Sequence, residues 1–591
     1  MNTIYQFIEE QEAGFKQGIP LEEGWYWSFR DHVRRSFLYK HSQFERNNDN
    51  RDKRPFKNIV RPILNIQYRT EGFDVKDIEI YVDNADTYYK SFLIKKFHDK
   101  WALENEMDTF IDELVESFVD YGGVLVKNVN DKRPEVVDLR TLAFCDQTDM
   151  LSGPFAIKHF FSPSQLREME SVGWGKTGAT ITIDELILKA ENTKNRDKDQ
   201  GETKTPGKYL EIYEVHNVSE MDFDITSEDD SPRIYVCGFY TDESGQSQGV
   251  TLFSSKEPKL PFKFLKRDPI QGRALGWGGI EELFEPQMWT NFSEINIMAM
   301  LEHASKVFYK STDPKFKNQN LNDSPMGRVF DLVPGAEMSQ LDNQPRNLVA
   351  FTNAVTGWHE HATEMGGASD LFLGHQPTAG TPFKSVESQV IENKSLHLWR
   401  QGRISVFVDE IYRDWTIPRM GKEISKGSKF LSTLSADEMM KVGEAVITNQ
   451  TNRRIIDMVL DGKIPTEEEI ALFKQVVSQT FFKDNKKFLE ILKDEMTGEK
   501  LSVSTNIAGK QKDLSAMTDK IVNIVRQVIA TPQILQDPTM MKWLNTILES
   551  SGMSPIMFGA KLSPLQPQDI QQGGNTEAIA QVNQPANQTT T

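Results

Sequence analysis

Beyond Pro269 the chain carries three apolar stripes at helical spacing, set apart by two stretches too rich in Pro and Gly to continue a helix. That alternation narrows the fold more than any other feature of the sequence. Met288, Phe292, Ile295 and Met298 mark the first stripe, on a helix expected to end near Phe308. The interruption from Tyr309 to Asn343 holds Pro314, Pro325, Gly327, Pro334 and Gly335, with short apolar strands expected at GRVFDLV (327–333) and before Pro314. Leu348, Phe351, Val355, Trp358, Ala362 and Met365 form the second stripe, which Gly366 and Gly367 end. A loop over 371–382 leads into a third helix carrying Val386, Val390, Trp399, Phe407, Ile411 and Trp415, expected to stop at Pro418. Two helices flanking a small strand-bearing tip project as a stalk. Their stripes need partners that one chain does not wholly supply, which favours an oligomer.

The remaining segments complete an α+β, mainly helical chain. Residues 1–120 read mostly as helix, with Tyr88, Phe92, Phe97, Trp101, Phe110, Leu114 and Phe118 at loosely helical spacing and Gly122-Gly123 as a stop. From Val124 to about Lys266 the period shortens: VLVKNV, PEVVDLRTLAF, FAIKHFF, YLEIYEVHN, RIYVCGFY and VTLFSS read as strands of a mainly antiparallel sheet, with a helical insert at 163–172. Residues 433–551 read as shorter helices, two of them opened by capping boxes at Ser435–Glu438 and Thr466–Glu469. After Pro564 the composition turns to Gln, Asn, Pro and Thr, which buries too little apolar surface to order itself.

At 591 residues the chain is long enough for several cores. With 68 Lys+Arg against 86 Asp+Glu its net charge is −18, which argues against tight, sequence-independent gripping of nucleic acid. Cys145 and Cys237 are too few for a disulfide scaffold and are not spaced for zinc, so a reducing compartment is expected. No window reaches the roughly 18 apolar residues of a spanning helix, and the first residues lack a signal-peptide pattern, so a soluble cytosolic product, or one assembled in a cytosol, without membrane partners is expected.

Motifs that suggest chemistry fail on spacing. Gly173–Gly178 spells GxGxxG and contains Gly-Lys-Thr, but it follows a helical stretch rather than a strand, and Glu170 stands where a Walker loop needs Gly. His359 and His361 lie two apart on a helix, hence on different faces, and Thr363 occupies the place of the second HExxH histidine. Asp222/Asp224 and Glu228–Asp230 sit in an acidic loop rather than on the rigid elements of a two-metal site. The basic stretch between Ser28 and Tyr68 reads as a solvated surface pairing with acidic segments of a neighbouring copy, in preference to a nucleic-acid face. No catalytic residue, metal or cofactor is expected.

Three stretches carry a family likeness. PEVVDLRTLAFCDQTD with FAIKHFFSPSQLREM, the glycine-rich run PFKFLKRDPIQGRALGWGGIEELFEPQMWTNFSEINIMAM, and LFLGHQPTAGTPFKSVESQ together resemble the portal proteins of tailed double-stranded DNA bacteriophages. The resemblance implies a wing over 1–278, completed by a long helix over 385–432, and stem helices at 279–308 and 346–368. It also implies a clip at 309–345, a tunnel loop at 369–384, a helical crown at 433–562 and a polar tail at 563–591. It implies a homo-oligomeric ring, typically of twelve copies, at one capsid vertex among major capsid proteins. Such a ring docks the large terminase subunit and later the neck and tail adaptors, and it conducts double-stranded DNA without enzymatic activity of its own. His375, Gln376, Thr378, Thr381 and Lys384 would then line the channel, and Lys315, Lys317 and Arg328 would serve partner docking at the clip. A channel wall that is acidic or neutral lets DNA slide, so the basic excess at 30–61 is expected away from the axis. The competing readings are a packaging-associated ATPase or nuclease, and another virion protein of the capsid interior or tail.

Overall fold

Helix and strand alternate from the first turns of the chain. The computed structural model describes residues 3–45, 54–82, 88–129, 132–190, 209–223, 229–241, 247–306, 308–316, 331–341, 347–368, 383–424, 436–483 and 501–505. They form a mixed, mainly helical α+β structure. The chain divides into two units, Met1–Leu434 with Asn485–Lys512, and Ser435–Asp484 with Asp513–Thr591.

In the first unit, α1 (Ile4–Gln17) is followed by a hairpin, β1 (Ile19–Glu22) and β2 (Trp25–Trp27), within the stretch expected to be mostly helix. Gly18 and Gly24, both at positive φ, bracket β1, and the Trp-Tyr-Trp run suits a pleated edge better than a helix. Ser28 then caps α2 (Phe29–Lys40) by accepting from the Asp31 amide. The next elements are α3 (Val60–Glu71), β3 (Ile78–Val82), α4 (Tyr88–Glu104) and α5 (Met107–Tyr121). Gly122, in the left-handed region, ends α5 as expected.

The strand-rich stretch holds β4 (Gly123–Lys127), β5 (Glu135–Val137), β6 (Leu142–Phe144), β7 (Phe155–Phe161), α6 (Pro163–Glu168), α7 (Ile183–Ala190), β8 (Leu210–Val218), β9 (Arg233–Thr241), β10 (Ser247–Lys256) and β11 (Phe262–Lys266). They pair antiparallel into a five-stranded sheet, β10-β9-β8-β7-β6, and a three-stranded one, β11-β4-β5. The larger sheet is covered on both faces. Tyr213, Val215, Cys237 and Phe239 pack with Phe7, Ile8 and Phe15 of α1, while Leu210, Ile212, Val236 and Leu252 pack with Leu166, Trp174 and Leu186. Both cysteines are buried and free. Gly173–Gly178 is a turn strapped onto β10, with the Gly175 amide donating to the Leu252 carbonyl at 2.7 Å.

The segment 268–278 closes on the end of α5. A Cβ on Gly122 would fall 2.4 Å from the Gly276 carbonyl oxygen, so the two backbones meet at a distance only glycine permits. Thereafter come α8 (Gly279–Glu282), α9 (Phe284–Ser305), β12 (Phe308–Ser311), β13 (Met338–Leu341), α10 (Leu348–Met365), α11 (Phe383–Ile411) and α12 (Ile417–Ile424). Three expectations are corrected here. The first stalk helix ends at Ser305, and Phe308 opens a strand. The partner of that strand is 338–341 rather than GRVFDLV, whose described end, 331–333, is not strand. Pro418 does not stop the third helix, because the turn before it, Tyr412–Thr416, is π-helical: the Ile417 amide bonds back to Tyr412, five residues away, and the widened turn accommodates the proline ring.

A late strand, β14 (Leu501–Thr505), pairs antiparallel with β3. The second unit holds α13 (Ala436–Leu460) and α14 (Glu467–Lys483), which pack on one another, and Val442, Val446 and Ile447 of α13 are buried. Thr466 and Glu469 form the expected capping box: the Glu469 amide lies 3.4 Å from Thr466 Oγ1 and the Thr466 amide 2.9 Å from Glu469 Oε2. Ser435 lies outside the described residues.

Candidate functional site, a stalk and its anchorage

Helices α9 and α10 pack along one another, with Trp289 and Trp358 stacked at a centroid distance of 6.2 Å and an interplanar angle of 11°. They are joined at the far end by the β12–β13 pair, Phe308 opposite Leu341 and Ser311 opposite Met338. Asp313 ties that tip together by accepting from the Lys315 amide at 2.9 Å and the Val333 amide at 2.8 Å. Those two amides, Lys315 first, hold its carboxyl below the usual range.

The burial pattern of α9 is inside out. Its buried positions are Pro286, Gln287, Thr290, Asn291 and Ser293, near the base, whereas Phe292, Met298 and Leu301 are exposed. In α10 only Val355 and Ala362 are buried, and Val349 is 71% exposed. Water-soluble helices place such side chains on an inner face, and here they lie open along the shaft.

The base is fixed by hydrogen bonds. Gln287 Oε1 accepts from the Ile59 amide at 2.9 Å while its Nε2 donates to the Lys57 carbonyl at 2.7 Å, and Asn291 Oδ1 accepts from the Lys57 amide at 3.1 Å. At the end of α10, Gln67 Nε2 donates to the Gly366 carbonyl at 3.0 Å, and His397 Nε2 lies 3.2 Å from the Gly367 carbonyl oxygen. The other nitrogen of His397 is 3.1 Å from Glu71 Oε1.

Glu71 is the centre of a buried ionic cluster. Arg267 grips it through two nitrogens, at 3.1 and 2.7 Å, and both side chains are wholly buried. Arg400 reaches Glu71 at 3.4 Å, Asp268 at 2.5 Å and Glu282 at 2.8 Å. Burial alone would raise the Glu71 carboxyl, but Arg267, the His397 hydrogen bond and Arg400 outweigh it and hold the group at about 2. Glu282 goes the other way, pushed up by burial that Arg267 and Arg400 do not fully offset. The cluster draws on α3, α8, α11 and the segment after β11, and so locks the base of the stalk, just before α9 and just after α10, to the long helix. Sequence reading missed it. The available signal was on α3, where the buried stripe Val60, Ile63, Leu64 ends in Gln67 and Glu71, two polar residues at core positions.

Three cations of the basic stretch find partners within their own chain, against the expectation of a neighbouring copy. Lys40 bonds Asp120 and Glu116, each at 2.5 Å, Lys57 bonds Glu294 at 2.7 Å and Arg35 bonds Glu45 at 2.8 Å. Tyr68 also donates to Asp120. A cavity of about 370 Å³ beside these groups is lined by Lys40, Glu116, Asp120, Asp138 and Arg140, whose charges are paired with one another.

His375, Gln376, Thr378 and Thr381 lie outside the described residues, as do Lys317 and Arg328. Lys384 falls in the first turn of α11, its side chain outside them, and Lys315 sits on the tip, its amide bonded to Asp313. His359 and His361 are exposed on α10, and among the described residues no cluster of His, Cys, Asp and Glu could hold a metal ion. No described helix is long and apolar enough to cross a membrane. No family model matches the chain, and no curated protein matches it. Among solved structures, a chain from the virion of a native gene transfer agent particle is similar at 9% identity, over 75% of this chain and 98% of that one, with a TM-score of 0.26. A likeness of that degree carries no argument about fold or activity.

Proposed function

We propose that this protein is the subunit of a phage portal ring, a structural channel at one capsid vertex through which double-stranded DNA passes inward during packaging and outward during ejection. The observation that carries the reading is the inside-out stalk: polar side chains buried at its base, apolar ones open along its shaft, and a two-stranded tip at its end. In a closed ring each shaft lies between two neighbours, which cover what a single chain leaves exposed. The charge of −18 suits a conduit that DNA slides through, since phosphates find few cations to bind. The glycine-rich run before α9 supports the reading, as do the other sequence stretches that resemble portal proteins. In this role the chain hydrolyses nothing itself. The motor, the capsid protein and the neck and tail adaptors are its partners, and the terminase motor supplies the ATPase.

The test is direct. Purified full-length protein, sized by gel filtration and imaged in negative stain, should show annular particles with a central hole. A homogeneous monomer with no annuli at any concentration would overturn the proposal, and metal-dependent nuclease or ATPase activity in the pure protein would replace it with the enzyme reading.

A further inference from the structure

Two exposed features of the first unit find no counterpart among the described residues. One is the β1–β2 tip, where Trp25 and Tyr26 stand 64% and 67% exposed beside the exposed carboxylates Glu22 and Glu23. Adjacent exposed aromatics on a tight hairpin are rigid, low-entropy anchors of the kind that dominate protein interfaces. The other is the outer face of α3, where Arg61, Asn65 and Arg69 fall at i, i+4 and i+8, all exposed. They form one stripe roughly 12 Å long at the helical rise. The opposite face of α3 is the one that holds Ile63, Leu64, Gln67 and Glu71 in the interior, so the stripe is fixed outward.

Other arginines of this unit are engaged at home: Arg35 with Glu45, Arg140 with Asp138, Arg167 with Asp184, and Arg273 with Glu281. The Arg61 and Arg69 guanidinium groups and the Glu22 and Glu23 carboxylates have no such partner among the described residues. In a chain with an excess of 18 acidic groups, two unpaired guanidinium groups on one helix face stand out. Guanidinium both pairs with carboxylate and stacks on Trp and Tyr rings, so the hairpin tip offers both kinds of contact that the stripe can take.

We propose that the β1–β2 tip of one copy docks on the Arg61–Arg69 stripe of a second copy, and so sets the order of subunits around the assembly. The proposal rests on the ring reading. It is heterologous, two different patches of the same chain meeting head to tail, which is the contact type that closes into rings rather than pairs.

Charge reversal tests it in a way that misfolding does not imitate. A variant with Glu22→Arg and Glu23→Arg has two basic patches, and a variant with Arg61→Glu and Arg69→Glu has two acidic ones. Each alone should form rings about tenfold less readily than wild type, because like charges then face one another. Mixed in equal amounts they should assemble again, alternating around the ring, since every junction regains opposite charges. A photoreactive residue placed at Tyr26 of the otherwise unaltered chain should cross-link to residues 54–71 of an isotopically distinct copy.

Rings of either variant alone at the wild-type level, failure of the mixture to assemble, or a cross-link mapping elsewhere would each overturn the docking. If the Arg61/Arg69 variant assembles normally and instead loses retention of a DNA duplex, the stripe is a phosphate surface and the docking falls. A wild-type chain that stays monomeric removes the ring reading and the docking together, whereas wild-type rings with unaffected variants remove the docking alone.

Discussion

At the base of the stalk α9 turns Gln287, Thr290, Asn291 and Ser293 to the interior, yet Phe292 among them, and Met298 and Leu301 one to two turns farther along, face solvent. At the base Gln287 and Asn291 are hydrogen-bonded to Lys57 and Ile59, although the Thr290 hydroxyl is buried with no partner among the described residues. Along the shaft Phe292, Met298 and Leu301 stay exposed. An isolated fold stabilises itself by the reverse arrangement. The contrast fits the proposed ring, in which the chain's own contacts hold the base of the stalk and neighbouring copies cover its shaft.

The sharpest way to break this contrast is at the base. Glu71→Ala leaves Arg267 and Arg400 buried beside an empty site, which should cost about 3–5 kcal/mol, read as a lowered urea midpoint. An unchanged midpoint would mean that the cluster does not anchor the stalk.

Protonation of either of two buried histidines should cost nearly as much. His32 and His98 are pushed down to about 4 by burial, so as pH falls below 6.5 the unfolded chain takes up protons that the folded chain refuses. Stability should therefore fall between pH 6.5 and about 4, by roughly 3 kcal/mol for each ring. Glu71 works in a lower window: its contribution is present above 4.5 and lost as pH falls toward about 2. Unfolding curves at several pH values should show the first loss flattened in a variant combining His32→Gln and His98→Gln, and the same slope in that variant would refute the assignment.

A smaller effect is expected in the second unit. Thr466→Ala removes the hydroxyl of the α14 capping box and should cost about 1 kcal/mol of that unit's stability, measured by local hydrogen exchange at 467–470. Smallest of all is the expected change in the lone chain on altering the shaft. Phe292→Glu with Met298→Glu replaces side chains already in water, so the monomer should shift by no more than about 0.5 kcal/mol while ring formation is lost. A large loss of monomer stability would show the shaft to be internal core after all.

Local signals in the sequence were faithful where one segment decides its own structure. The Thr466 capping box, the Gly122 stop and each strand from VLVKNV to VTLFSS were legible because caps and period-2 patterns act over a few residues. The stalk was legible for the same reason, as two stripes around a Pro/Gly interruption. What escaped depends on segments far apart. Glu71, Arg267, His397 and Arg400 carry no pattern linking them, and their meaning as a cluster exists only once α3, α11 and the segment after β11 converge. The turn at Tyr412–Thr416 was hidden because Pro418 alone argues for a stop, and the π-turn that accommodates it has no marker in residue type. The basic stretch was half legible: its charges were evident, but its same-chain partners Glu116, Asp120 and Glu294 lie too far away in sequence to be paired by inspection.

The pairing of β14 with β3 has a consequence in time. Val503 lies opposite Ile80, so the edge of an early strand waits for a partner made roughly 420 residues later. At translation rates of about 5–20 residues per second that interval is some 20–80 s, during which the β3 edge is open on the ribosome and the whole of α13 and α14 is synthesised. Chains released before residue 505 keep that edge unpaired, the condition under which strands add to one another. For a protein proposed to assemble by association of identical copies, closing this strand pair last separates the folding of each subunit from its recruitment. A chain becomes competent to join only when nearly all of it has been made.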